Sequence, residues 1–101
     1  METLNERFSL RVDGDRLWRS LMDMAQVGAT MMGGCNRQAL SDEDRAGRDL
    51  FCAWSVEAGC KIRVDDMGNI FARLEGQDPS RAAVLIGSHL DTPVSYTHLR
   101  A

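Results

Sequence analysis

Ala82-Ala83-Val84-Leu85-Ile86-Gly87-Ser88-His89-Leu90-Asp91 is the stretch on which the fold turns. An aliphatic run of this length predicts a strand covered on both faces, so His89-Leu90-Asp91 falls where a central strand gives way to its loop. Open α/β sheets place their chemistry at that point. His89 is therefore a candidate metal ligand, because an imidazole nitrogen binds divalent ions. Asp91 lies two residues on and points to the same side of an extended segment. It is the candidate catalytic-site residue that fixes the imidazole tautomer and orientation. One imidazole supplies one coordination position, so the other ligands of a catalytic metal have to come from elsewhere.

Working outward, Gly76-Gln77-Asp78-Pro79-Ser80 is a turn before the 82–88 strand. Ahead of it, residues 61–65 and 69–75 alternate apolar with polar, and Asp66-Met67-Gly68 between them is turn-like, which predicts an antiparallel hairpin. Ser41-Asp42-Glu43-Asp44 starts a helix: the serine oxygen can accept a backbone N–H, and three carboxylates complement the positive end of the dipole. Capping explains that acidic cluster better than calcium, whose D-x-D-x-D loop is absent. The helix keeps one apolar face through Ala46, Leu50, Phe51, Trp54 and Ala58 and stops at Gly59. Asp13 or Asp15 caps an earlier helix running to about Val27, with Leu17, Leu21 and Met24 in one stripe and Trp18, Met22 and Ala25 in the next. A wide apolar face of this kind packs on a sheet.

Gly28 ends that first helix, and residues 29–40 show neither helical nor strand period. Gly33-Gly34 reads as backbone freedom at a turn, since a phosphate cradle would have a strand before the glycines and a helix after them. Arg37 reads by default as solvated, with a substrate pocket as the alternative. The coarse order is α, loop, α, β, β, β. The expected fold is α/β: a partial layer of two helices and about three strands, with 82–88 the most buried.

The 101 residues are 44% hydrophobic, which suits one small globular domain and argues against disorder. A net charge of −3 with twelve scattered Lys and Arg leaves no basic footprint for nucleic acid. No apolar run is long enough to span a bilayer, and the N-terminus lacks a signal-peptide pattern, so the expected location is cytoplasmic. Cys35, Cys52 and Cys60 are odd in number and show no C-x-x-C spacing. They read as reduced, mostly buried thiols rather than as disulfides or a zinc knuckle.

Taken in order, Leu17-Trp18 in the first helix, Gly33-Gly34 with Arg37, Ala39-Leu40-Ser41-Asp42-Glu43-Asp44-Arg45, Gly47-Arg48-Asp49-Leu50-Phe51, Ala58-Gly59-Cys60, Val64-Asp65, Gly68-Asn69-Ile70-Phe71-Ala72-Arg73 and Gly87-Ser88-His89-Leu90-Asp91-Thr92 resemble the N-terminal part of the bacterial hydantoinase/carbamoylase family. That family includes N-carbamoyl-L-amino-acid hydrolases, β-ureidopropionases and allantoate amidohydrolases, within the larger group of two-metal aminoacylases and exopeptidases. The resemblance implies a catalytic domain with two divalent ions (zinc, manganese, cobalt or nickel) and a smaller domain for homodimerisation. It implies a small carbamoyl or ureido substrate whose carbonyl the metal polarises while an activated water attacks, with a glutamate as base. His89 would ligate one metal and Asp91 would steady it.

Residues 13–92 carry the resemblance, after a lead-in over 1–12. From Pro93 onward the family pattern is lost: the metal-bridging aspartate, the glutamate base and the remaining ligands are missing. Residues 93–101 are expected to be a non-native tail, and His98 is assigned no function. The expectation is thus a fragment, inactive alone, of an amidohydrolase that cleaves linear non-peptide C–N bonds. The alternatives are an aminoacylase or dipeptidase of the same larger group, or a small non-enzymatic binding domain in which His89 is a polar strand end.

Overall fold

The computed structural model describes residues 10–93. Most of the lead-in, the tail beyond Pro93 and His98 lie outside the described residues.

Helix α1 spans Gly14–Gln26. Asp13 is its N-cap, and the carboxylate accepts from the Arg16 amide at 3.1 Å, which satisfies one of the open donors of the first turn. Gly28 turns the chain away with φ +85°. A Cβ there would sit 2.8 Å from the Asn36 carbonyl oxygen, and the Gly28 carbonyl itself accepts from the Asn36 amide. This close approach folds residues 29–35 into a small loop closed by an isolated bridge between Ala29 and Cys35.

Helix α2 spans Asp42–Glu57. Ser41 caps it by accepting from the Asp44 amide at 3.1 Å, and the Asp44 carboxylate reaches back to accept from the Leu40 amide at 3.0 Å. The three acidic residues of the first turn therefore have a structural use, as the capping argument requires. At the other end Gly59 takes φ +93°, with the Gly59 amide donating to Val56 and the Cys60 amide to Ser55. This pair of bonds is the Schellman arrangement, and it sends the chain straight into a strand.

Strand β1, Lys61–Val64, pairs antiparallel with β2, Ile70–Arg73, in the register Lys61 with Arg73 through Val64 with Ile70. The Asp65 carboxylate closes the connecting loop by accepting from the Met67 and Asn69 amides and from the Asn69 side chain. Across the ladder the Arg63 guanidinium lies 4.7 Å from the Phe71 ring centre. Helix α2 packs against β1.

The structure corrects the reading of 82–88. Among the described residues the sheet has two strands, and the aliphatic run belongs to no ladder. Far from being the most buried element, it leaves Val84 92% and Ile86 88% exposed. The physical reason is that a strand is a pairing: β1 and β2 pair with one another along one edge each, and residues 82–88 pair with neither outer edge. The same openness marks α1, whose stripe leaves Trp18 61% exposed while Met24 is down to 9%. The α/β character and the partial layer of two helices and a hairpin stand. No helix among the described residues is long and apolar enough to cross a membrane.

Candidate functional site

The tripeptide His89-Leu90-Asp91 is held from one side by Arg37, a residue 7% exposed. Arg37 Nη1 donates to the Met24 carbonyl at 2.9 Å and the Val27 carbonyl at 2.6 Å, and lies 3.1 Å from Cys35 Sγ. Those carbonyls belong to the open C-terminal end of α1, which has no basic residue in its own last turn. Arg37 supplies the missing cation to the negative end of the dipole. Its Nε points the other way and donates to the Leu90 carbonyl at 2.9 Å. Its main chain completes the clasp: the Arg37 amide donates to Thr92 Oγ1, and the Thr92 amide donates to the Arg37 carbonyl, each at 2.8 Å.

Helix α2 makes room for this arm. A Cβ on Gly47 would meet Arg37 Cδ at 2.8 Å and Nε at 3.2 Å. Glycine in a helix interior is disfavoured by about 1 kcal/mol relative to alanine. Here the passage of Arg37 over α2 accounts for it. The expectation of a solvated Arg37 is thereby corrected: the residue is buried, and its guanidinium meets three carbonyls and a thiol.

His89 itself is exposed, and its Nδ1 lies 2.8 Å from the Asp91 main-chain carbonyl and 3.3 Å from the Asp91 carboxylate. A carbonyl oxygen only accepts, so the 2.8 Å contact requires Nδ1 to carry the hydrogen. In the neutral ring Nε2 then keeps its lone pair. The two predicted site residues do come together, but the shorter contact is to the backbone of Asp91. Among the described residues no group of three or more His, Cys, Asp and Glu side chains gathers as a metal site. The residues present fit one imidazole ligand and do not by themselves form a catalytic metal centre.

Arg37 and Thr92 are the parts that sequence reading missed. Two signals pointed to them: a helix with no cation at its C-terminal end, and a mid-helix glycine with no capping role.

No protein-family model matches the sequence. The chain is 54% identical over 82 residues to an N-carbamoyl-L-amino-acid amidohydrolase of Rhizobium meliloti, a match covering 81% of this chain and 20% of that protein. It is 40% identical over 62 residues to allantoate deiminase 1 of Glycine max, covering 61% of this chain and 13% of that protein. Its fold superposes on a crystal structure of a hydantoinase/carbamoylase family amidase from Burkholderia ambifaria with a TM-score of 0.80 and 60% identity, over 82% of this chain and 20% of that one. By class, then, these relatives are amidohydrolases. Within that class the chain belongs to the hydantoinase/carbamoylase family, spanning about 20% of the length of its bacterial amidohydrolase and amidase relatives.

Proposed function

We propose that this chain is part of a metal-dependent hydrolase that cleaves linear non-peptide C–N bonds in N-carbamoyl amino acids, ureido acids or allantoate. The observation that carries the reading is the hydrogen bond from His89 Nδ1 to the Asp91 carbonyl. In the neutral ring that bond would leave Nε2 free to bind a divalent ion, which is how a metal-ligating histidine is commonly held. A pair of divalent ions, zinc or manganese by class, would polarise the carbamoyl carbonyl and lower the pKa of a water nucleophile. His89 would hold one of them. The Asp91 carboxylate, 3.3 Å from the ring, would add negative charge behind the imidazole and raise its basicity. The other ligands and the base would come from residues outside this chain. The isolated chain is accordingly inactive, and the whole enzyme works as a cytoplasmic homodimer.

A graft tests the reading. Residues 13–92 replace the matching stretch of the Rhizobium meliloti relative, and hydrolysis of an N-carbamoyl-L-amino acid is measured together with metal content. The graft is expected to be active, and His89→Ala in it to remove nearly all turnover together with one metal. Asp91→Asn is expected to weaken metal affinity or rate by about 10–100-fold. Full metal occupancy and full turnover in a folded His89→Ala graft would overturn the assignment.

A further inference from the structure

We infer that Arg37 is a positioning residue for the His89 ligand, acting through the two peptide planes on either side of Asp91. The inference rests on the reading of His89 as a metal ligand and adds what sets its geometry. Arg37 Nε holds the Leu90 carbonyl, which fixes the plane of the peptide entering Asp91. The Arg37 carbonyl holds the Thr92 amide, which fixes the plane of the peptide leaving it. In a trans peptide the C=O and N–H point in opposite directions, and the described chain has no cis bonds. Pinning the Thr92 N–H toward Arg37 therefore aims the Asp91 C=O away from Arg37, and that oxygen is the one His89 Nδ1 binds.

The clasp is thus a tautomer selector. With the Asp91 carbonyl aimed at it, the ring carries its hydrogen on Nδ1 and leaves Nε2 free. With the carbonyl released, that preference weakens to what the Asp91 carboxylate, 3.3 Å from Nδ1, supplies. Arg37 touches neither the ring nor the metal position, and its other bonds anchor the clasp to the end of α1 and the Gly47 slot of α2.

The test is metal-free, so failure of the hydrolase reading and failure of this one are separable. In the full 101-residue chain with His98→Gln, His89 is the only imidazole, and its tautomer is read from the ¹⁵N shifts of the neutral ring. The parent is expected to show the Nδ1–H form in excess. Thr92→Val removes the acceptor of the Arg37 amide, the bond that seats Thr92 so that its own amide reaches the Arg37 carbonyl, and Arg37→Lys removes the Nε donor to the Leu90 carbonyl. Each is expected to shift the tautomer ratio toward Nε2–H by about two- to tenfold, the weight of one hydrogen bond, with the amide protection of α2 unchanged. A merely structural role for Arg37 would change protection or melting and leave the ratio alone. Thr92→Val touches neither helix and so reports even where Arg37→Lys unfolds the chain. An unchanged ratio in folded Thr92→Val, or a parent already in the Nε2–H form, overturns the inference.

Discussion

Residues 41–73 and residues 82–92 are stabilised in opposite ways. In the first stretch each cap and turn closes within a few positions: Ser41 with Asp44, Ser55 with Cys60, Asp65 with Asn69. In the second, apart from the contact of His89 with Asp91, the bonds reach back 53 and 55 positions to Arg37. Local chemistry can shape a segment from its own residues. A segment that depends on a distant clasp takes its shape from that clasp, and if the clasp goes it has nothing to fall back on.

The largest break in this contrast is Arg37→Met. It leaves the Leu90 carbonyl without its donor and takes the guanidinium from the carbonyls of Met24 and Val27, which keep the Val27 amide and the Cys35 thiol, so stability is expected to fall by about 1–3 kcal/mol. In urea unfolding followed by hydrogen exchange, the Thr92 amide should lose protection while the hairpin amides keep theirs. Loss spread evenly over both stretches would dissolve the distinction.

Next comes Gly47→Ala, which sharpens it. At an ordinary interior helix position the change stabilises by about 1 kcal/mol. With Arg37 Cδ 2.8 Å from the new methyl, we expect instead a loss of about 1–3 kcal/mol from overpacking. Restoration of stability on adding Arg37→Met to Gly47→Ala, relative to the sum of the two, would tie the cost to that contact. A gain in melting temperature for the single change would mean the arm does not pass there.

Ser41→Ala should cost about 1 kcal/mol and fray only the first turn of α2. Exchange at the Asp44 amide reports it, and residues 90–92 should not respond.

The smallest effect is in acid. The Asp65 carboxyl is held below its ordinary value of 3.8, chiefly by the Asn69 side chain and then by the Asn69 amide. A depressed folded value stabilises the loop above the ordinary carboxylate range and loses that contribution as pH falls through the lowered value. The Asn69 resonances should therefore titrate below 3.8, and Asp65→Asn should abolish the titration. A midpoint at or above the ordinary value would show that the loop bonds do not favour the charged form.

The local stretch was legible because its signals are local. Ser41 with three acids, Gly59 after an apolar stripe, and Asp66-Met67-Gly68 between alternating runs each name an element and its ends. The hairpin came out shorter than expected by one residue at Asp65, one at Asn69 and two beyond Arg73, where pairing stops. The aliphatic run 82–88 was misjudged for a physical reason. Its composition states a demand for burial, which is a property of the segment, but burial and pairing are properties of two segments. Arg37 failed in the opposite sense: charge argues for solvent, and only the convergence of acceptors from α1, Cys35 and Leu90 keeps it inside. The proximity of His89 and Asp91 follows from their spacing, whereas the main-chain contact between them depends on a peptide orientation that spacing does not encode.

The reach of the clasp has a consequence for the order of folding. Joining residues 37 and 92 closes a loop containing the whole of α2 and the hairpin, with an entropic cost of about 3–4 kcal/mol for a flexible loop of that length. Prior formation of α2 and the hairpin shortens the loop, so the clasp is favoured only after they are in place. The orientation of His89 is therefore acquired late and is the first feature lost when the chain opens locally. Mild heat or denaturant should scramble the imidazole geometry while circular dichroism still reports intact helices.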